Sequence, residues 1–217
     1  MPYFFAERQG DQVSIRGADA RHLATSLRAR PGQVVAVVEP AGRLLQVRLQ
    51  TVASSLVTGR VEEERPHRPE PERRITLAVA LLPAGALDLV LSRCTEAGAT
   101  AFVLVAALRS VARSGRPERW ASICREAAML AGRLRVPEVS PPVRLAAAWR
   151  KAADPYLLDM SGEPMRGLPD GATLFIGSEG GWAPEERQLA AGRTLSLGPR
   201  NLRADTAALV GLTLALS

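Results

Sequence analysis

The sequence is poor in the residues that build disulfide frameworks and clustered metal sites. Its 217 residues include two cysteines, Cys94 and Cys124, and two histidines, His22 and His67. A disulfide scaffold is therefore excluded, and so is a zinc site built from clustered cysteine and histidine ligands. We expect no metal in the functional site. A chain of this length can bury an adequate core without disulfides or a structural metal.

A long hydrophobic run is also missing. The most apolar stretch, residues 207–216, is shorter than the about 20 apolar residues that span a bilayer, so we predict a buried helix there and no membrane segment. The N-terminal residues lack the basic region and apolar core of a secretion signal. These absences predict a cytoplasmic protein.

Lysine is almost absent, although the chain is basic. The 28 basic residues include a single lysine, Lys151, and the net charge is +6. Arginine offers a planar fork of donors that suits phosphates and base edges. A GC-rich genome would also favour arginine over lysine, and both explanations of the ratio stay open. The net positive charge itself favours a polyanionic partner.

The first 70 residues have the pattern of a small β-rich domain. Short apolar or alternating runs at 34–38 and 45–49 are separated by proline and glycine turns, which predicts a small barrel. One helix, capped by Asp19, is expected to interrupt it. Residues 62–74 contain three prolines and almost nothing apolar, which predicts an extended linker and a domain boundary near residue 70.

The rest of the chain alternates strands with helices. Five apolar segments read as strands, and Pro117 is well placed to begin a helix. Apolar, non-alternating strands between helices predict a parallel sheet covered on both faces. Ligands of such sheets bind in the loops that follow the carboxyl ends of the strands. The five predicted strands are residues 75–81, 101–105, 156–158, 173–176 and 195–197.

Two late loops carry unusual residues, and a shorter one, residues 82–85, follows the first of these strands. Residues 176–186 contain three glycines that let backbone groups approach a ligand, although the phosphate-loop and dinucleotide glycine patterns are absent. A ligand loop and a plain tight turn both stay open for it. In residues 197–206, a helix cap is one interpretation of Asp205 or Thr206, and a functional role is the other. Capping does not account for Arg200 and Arg203. Because both loops follow late strands, we expect them to face one cleft.

These loops resemble the motifs of a known family. The residues FIGSEGGW at 175–182 are similar to "IGPEGGF", and LGPRNLRADTA at 197–207 is similar to "LGxRILRxETA". Together they are the signature of the RsmE family, bacterial 16S ribosomal RNA (uracil-N3)-methyltransferases of the SPOUT superfamily. The segments from Arg21 to Gly32 and from 131 to 139 resemble further family motifs. The chain departs from the pattern at Ser178, where proline is usual, at Asp205, where glutamate is usual, and at Tyr3, where arginine is frequent.

The resemblance implies a fold and an activity. The expected fold is α/β, with a PUA-like RNA-binding β-barrel and linker at residues 1–70 and a SPOUT methyltransferase domain at 71–217. The second domain would contain a parallel sheet and a trefoil knot. The implied activity is S-adenosylmethionine-dependent methylation of N3 of a uridine in 16S ribosomal RNA of the small ribosomal subunit. Family members of this kind are homodimers.

The resemblance also implies roles for individual residues. Arg203, with Arg200 as the alternate, would stabilise the negative charge that develops on uracil. Asp205 or Glu179 would take the N3 proton, and the choice between them stays open. RNA contacts are expected from Arg21, His22 and Arg28. The expected cofactor contacts are Leu82, Ile176, Gly177, Glu179, Gly180, Leu197, Gly198, Asn201, Leu202 and Thr206.

Two alternatives to this activity remain. The chain could be a SPOUT methyltransferase that acts on a ribose 2′-hydroxyl or on transfer RNA. It could also be a non-catalytic RNA-binding protein that keeps the fold. A nucleotide-phosphate enzyme is disfavoured, because the glycine loop has no adjacent lysine.

Overall fold

The computed structural model describes residues 2–110 and 116–217. The strands are β1 (Tyr3–Phe5), β2 (Glu7–Gln9), β3 (Gln12–Arg16), β4 (Val34–Glu39), β5 (Arg43–Val52), β6 (Leu56–Pro66), β7 (Thr76–Ala80), β8 (Ala101–Ala106), β9 (Glu138–Arg144), β10 (Pro155–Pro164), β11 (Thr173–Ile176) and β12 (Thr194–Ser196). The helices are α1 (Gly17–Arg21), α2 (Ala84–Ala97), α3 (Pro117–Ala131), α4 (Leu145–Lys151), α5 (Pro184–Leu189) and α6 (Ala204–Leu216).

The chain divides into two compact units. The N-terminal unit runs to Glu70 and also takes residues 128–135, and the C-terminal unit comprises 71–127 and 136–217. The first break lies inside the proline-rich segment. Nothing in the sequence pattern indicates that residues 128–135, which include the last turn of α3, belong to the N-terminal unit. The roles that we assign to the two units stay predictions.

The N-terminal unit is built on one six-stranded mixed sheet. Its strand order is β1-β4-β5-β6-β3-β2, with β1 parallel to β4 and the other neighbours antiparallel. Side chains from β1, β3, β4, β5 and β6 converge on a single core, which includes Phe4, Ile15, Val37 and Leu45. The predicted barrel-like fold of this unit is confirmed. Its alternating strands bury one face and expose the other, as antiparallel sheets allow.

The linker prediction is wrong for residues 62–66, which continue strand β6. Cross-strand ion pairs explain why so polar a segment is extended. Glu64 binds Arg8 and Arg43, each at 2.9 Å, and Glu62 accepts a hydrogen bond from Arg48 Nη2 at 2.9 Å. The pairs with Arg43 and Arg48 join β6 to its neighbour β5, and opposite charges on neighbouring strands stabilise a sheet without apolar side chains.

The predicted helix cap at Asp19 is also wrong. Helix α1 begins at Gly17, with Arg16 in the N-cap position, and Asp19 is buried within its first turn. The chain continues from α1 directly into a π-helical turn, residues His22–Ser26. It leaves this turn through Arg28, whose φ of 49° lies in the left-handed region that non-glycine residues rarely adopt.

The C-terminal unit is a six-stranded, entirely parallel sheet with the order β12-β10-β11-β7-β8-β9. Successive residues of each strand point to opposite faces, and both faces are covered. Leu77 and Leu174 pack with α2 and α6, whereas Ala78 and Phe175 pack with α4 and Trp182. The predicted α/β sheet is therefore confirmed, and Pro117 does begin a helix. The trefoil knot implied for this unit stays a prediction.

Within residues 2–110 and 116–217, no helix has both the length and the apolar character that crossing a membrane requires.

Candidate active site

Sheet topology brings two loops of the C-terminal unit together. Strand β10 lies between β11 and β12, and all three run parallel, so the loops after β11 and β12 leave the same edge of the sheet. We call residues 177–183 the glycine loop and residues 197–203 the arginine loop. They enclose a cavity of about 340 Å³, a size that ligand pockets have.

Nine of the predicted site residues line this cavity: Ile176, Gly177, Glu179, Leu197, Gly198, Arg200, Asn201, Leu202 and Arg203. The expectation that the two loops share one cleft therefore agrees with the geometry. The catalytic and cofactor roles of these residues stay predictions.

Four predicted site residues do not line the cavity. Leu82 is 2% exposed and belongs to the apolar core. Gly180 lies against Arg109, whose Cβ would be 3.2 Å from a Cβ at this position. Asp205 and Thr206 are in the first turn of α6.

The predicted RNA-binding residues belong to the N-terminal unit. Arg21 ends α1, His22 opens the π-helical turn, and Arg28 follows that turn. All three are exposed to solvent. Their RNA-binding role stays a prediction.

The buried tryptophan of the glycine loop anchors that loop to strand β10. Trp182 is 1% exposed, and its indole Nε1–H donates a hydrogen bond to the carbonyl of Leu158 at 2.9 Å. A Cβ at Gly177 would lie 3.2 Å from the indole ring, closer than most side chains tolerate. The glycine therefore lets the indole pack directly against the loop backbone.

A buried carboxylate fixes the other end of the glycine loop. Glu186 on α5 is 6% exposed and accepts hydrogen bonds from the backbone N–H groups of Ala183 and Leu108, both at 2.9 Å. It thus joins the start of α5 to the loop that follows β8. Two weaker hydrogen bonds support the same junction: Arg109 Nη1 donates to the Gly180 carbonyl at 3.1 Å, and Ser178 Oγ donates to the Arg109 carbonyl at 3.3 Å. Ser178, a departure from the family motif, therefore has a structural partner here.

The arginine loop is held differently. Gly198 has a φ of 100°, and a Cβ placed on it would meet no atom within 4 Å. Its backbone N–H donates to Ser196 Oγ at 3.2 Å, and its carbonyl accepts from the same hydroxyl at 3.4 Å. Arg200 and Arg203 are exposed and form no ion pair within the described ranges. Arg203 occupies the N-cap position of α6 with extended backbone, so the capping interpretation of Asp205 or Thr206 is wrong.

Sequence reasoning missed the part of the cavity wall that β10 contributes. Leu158, Asp159 and Met160 line the cavity, because the pairing of β10 with β12 shifts between Leu158 and Glu163. The intervening residues bulge from the ladder. A signal was present in the sequence: Asp159 directly follows a buried strand, the criterion by which the other two loops stood out.

Asp159 forms an ion pair at the cavity with Arg187 of α5, which was also missed. Arg187 Nε donates to Asp159 Oδ2 at 2.8 Å, and Asp159 Oδ1 accepts hydrogen bonds from the backbone N–H and hydroxyl of Ser161 at 3.0 and 2.7 Å. Burial alone would raise the pKa of Asp159, but these hydrogen bonds and the nearby guanidinium hold it below its ordinary value. The carboxylate is therefore ionised at neutral pH.

The arrangement suits a ligand with a flat, weakly polar part that meets a reaction partner bearing negative charge. Apolar walls come from Leu158, Ile176 and Leu197, and open backbone comes from both loops. The exposed guanidinium groups can stabilise developing anionic charge. In the part of the chain that the structure describes, no group of three potential metal ligands is placed to hold a metal ion.

Comparisons with known proteins agree with this geometry. A family model described as an RNA methyltransferase domain matches residues 68–216. The ribosomal RNA small subunit methyltransferase E of Synechocystis sp. (strain ATCC 27184 / PCC 6803 / Kazusa) is 31% identical over 217 residues, which cover 92% of this chain and 71% of that protein. The protein of the same name from Bacillus subtilis (strain 168) is 27% identical, covering 98% of this chain and 95% of its own.

A solved structure extends the similarity to the whole fold. The ribosomal RNA small subunit methyltransferase E from Neisseria gonorrhoeae, crystallised with S-adenosyl methionine bound, matches with a TM-score of 0.87 at 27% identity. The match covers 98% of this chain and 95% of that one.

Proposed function

Because the chain belongs to the RsmE family of ribosomal RNA small subunit methyltransferases, we propose that it methylates N3 of a uridine in 16S ribosomal RNA, with S-adenosylmethionine as the methyl donor. The observation that carries the proposal is the single cavity formed by the glycine loop and the arginine loop, the two segments with the family motifs. The similar Neisseria gonorrhoeae structure, with S-adenosyl methionine bound, supports the choice of cofactor.

The cavity fits this cofactor on its own chemistry. Adenine needs apolar faces above and below its ring and backbone groups at its edge. The apolar faces would come from four residues of the cavity wall: Leu158, Ile176, Leu197 and Leu202. The backbone of the two loops that line the cavity would offer the groups at the edge, and Gly198 leaves space beside it, because a Cβ there would meet no atom within 4 Å. These residues would hold the adenosine part.

S-adenosylmethionine, when bound, supplies a methyl group already activated on a sulfonium. The chain's own residues must then position uracil and stabilise its charge. Uracil N3 loses its proton as it attacks, and the resulting negative charge spreads over O2 and O4. Arg203, with Arg200 as the alternate, would stabilise that charge because its guanidinium is exposed at the cavity.

A carboxylate is needed to accept the N3 proton. Glu179 lines the cavity and is exposed, whereas Asp205 does not line it. Asp159 has an oxygen bound to Arg187 and a lowered pKa, so it is a weak base. This placement favours Glu179 for the role.

Three further features belong to the proposal. The N-terminal unit binds the RNA, with Arg21, His22 and Arg28 on its exposed surface. The protein works in the cytoplasm, where its RNA substrate is assembled. It works as a homodimer, which the exposed apolar face of α6 supports, since Val210 and Leu214 are each 36% exposed and one helical turn apart.

Analysis of the product tests the activity. The purified protein is incubated with S-adenosylmethionine and, in separate reactions, with 16S ribosomal RNA and transfer RNA from cells that lack it, and the nucleosides are identified by mass spectrometry. We expect N3-methyluridine. A 2′-O-methylated nucleoside, or methylation of transfer RNA alone, would favour the first alternative activity. Binding of RNA without any methylated product would favour a non-catalytic protein.

A further inference from the structure

We propose that Asp159 and Arg187 bind the amino-acid end of the cofactor, with Arg187 on its carboxylate and Asp159 on its ammonium group. This inference rests on the proposed function, because it assigns a part of the same ligand. The two residues are absent from both motif loops. They come from the bulged part of β10 and from helix α5, and they meet at the cavity wall.

The ligand has charges that match the pair. S-adenosylmethionine ends in an α-amino acid, so one end of it carries an ammonium and a carboxylate on the same carbon. A neighbouring aspartate and arginine offer the complementary charges at a similar spacing. Charge-assisted hydrogen bonds of this kind are about twice as strong as neutral ones.

Both side chains have hydrogen-bonding capacity left for a ligand. The contact with Asp159 uses Nε of Arg187, and the Nη groups of the guanidinium remain for a carboxylate. Asp159 accepts three hydrogen bonds, two at Oδ1 and one at Oδ2, of about four that a carboxylate can accept. One acceptor site therefore remains for an ammonium group.

The pair is also placed and prepared for this role. The side chain of Arg187 is 45% exposed, whereas that of Asp159 is 10% exposed and held by Ser161. An anion fixed by its own hydrogen bonds needs little rearrangement when a cation arrives. The guanidinium reaches the glycine loop, where a Cβ at Gly181 would lie 3.8 Å from Arg187 Nη2.

Two ligands that differ only at the amino-acid end test the inference. S-adenosylhomocysteine has that end, and 5′-methylthioadenosine does not. Calorimetry with the full chain measures the affinity of both for the wild type, Arg187→Gln and Asp159→Asn. The control variants Arg74→Gln and Asp170→Asn break a comparable Arg–Asp pair, 2.7 Å long, that does not line the cavity.

We expect each cavity variant to weaken S-adenosylhomocysteine binding by about tenfold or more, as the loss of a charge-assisted hydrogen bond does. The affinity for 5′-methylthioadenosine should change by less than about twofold, and the controls should bind like the wild type. Equal weakening of both ligands, or no weakening of either, would overturn the inference while the proposed function stands. If the wild type bound neither ligand, the proposed function itself would fail.

Discussion

The two loops of the cavity differ in how they are held. The glycine loop is fixed by the buried Trp182 indole at one point and by the buried Glu186 carboxylate at another. The arginine loop has exposed polar side chains, Arg200, Asn201 and Arg203, and a Cβ at Gly198 would meet no atom within 4 Å. The same cavity thus combines a wall of fixed shape with a wall that presents free charge.

This difference indicates where stability and activity reside. Buried groups that satisfy backbone donors stabilise the fold, and their removal leaves those donors unpaired. Exposed guanidinium groups contribute little to stability, so their charge is available for a substrate. We therefore expect substitutions in the glycine loop and its supports to lower stability first, and substitutions in the arginine loop to lower activity first.

The largest effect is expected from Arg203→Ala, which removes an exposed charge from the arginine loop and so tests whether that loop carries the activity. Removal of a group that stabilises transition-state charge lowers turnover by about 100- to 1000-fold. The affinity for S-adenosylhomocysteine and the melting temperature should stay close to those of the wild type. Methyl transfer to RNA under single-turnover conditions, calorimetry and thermal unfolding measure the three quantities.

The control for this variant is Arg93→Ala, which removes an exposed arginine from α2, outside the cavity. It should leave turnover unchanged. If Arg203→Ala lowered cofactor affinity as much as turnover, the electrostatic role would be refuted and Arg203 would belong to the cofactor site.

The next largest effect is expected from Glu186→Gln, which alters the buried anchor of the glycine loop. The amide group keeps the shape of the side chain but turns one of its two acceptors into a donor, which faces the N–H of Leu108 or Ala183. An unsatisfied buried donor destabilises a protein by about 1–3 kcal/mol. Chemical denaturation measures the loss. The neighbouring Glu185→Gln, at an exposed position, is the matched control and should unfold like the wild type.

An unchanged free energy of unfolding in Glu186→Gln would contradict the comparison, because the glycine loop would then not depend on its buried anchor. If the variant is less stable and also binds S-adenosylhomocysteine less tightly, the comparison of the two loops extends from stability to ligand binding. In that case the anchor holds the loop in the shape that the ligand needs.

Much of this picture could be predicted from the sequence, and the reason is the periodicity of its strands. Uninterrupted apolar segments such as residues 173–176 indicate a doubly covered sheet, and such a sheet places its ligand loops at one edge. The motif residues then mark which loops matter. The nine predicted residues that line the cavity all lie in or beside those two loops.

The rest depends on contacts between distant segments. Asp159 and Arg187 are 28 residues apart and meet only because β10 bulges beside α5. Glu186 reads as part of a helix start, and nothing local shows that it reaches Leu108, 78 residues away. Residues 62–66 form a strand because arginines on other strands pair with their carboxylates. Spacing along one segment does not encode such partners.

The smallest effect is expected in the core of the C-terminal unit, from Cys94 of α2. This thiol is fully buried, and burial raises its pKa from 9.0 to about 12. The unfolded chain releases the thiol proton above pH 9, whereas the folded protein keeps it until about pH 12, so stability falls as the pH rises between these values. From pH 8 to pH 10 the wild type should lose about 1 kcal/mol that Cys94→Ala keeps. Denaturation at both pH values measures the difference. Arg203→Ala retains the thiol and should follow the wild type, so that equal pH dependence in all three proteins would show that the thiol titrates alike in the folded and unfolded chain.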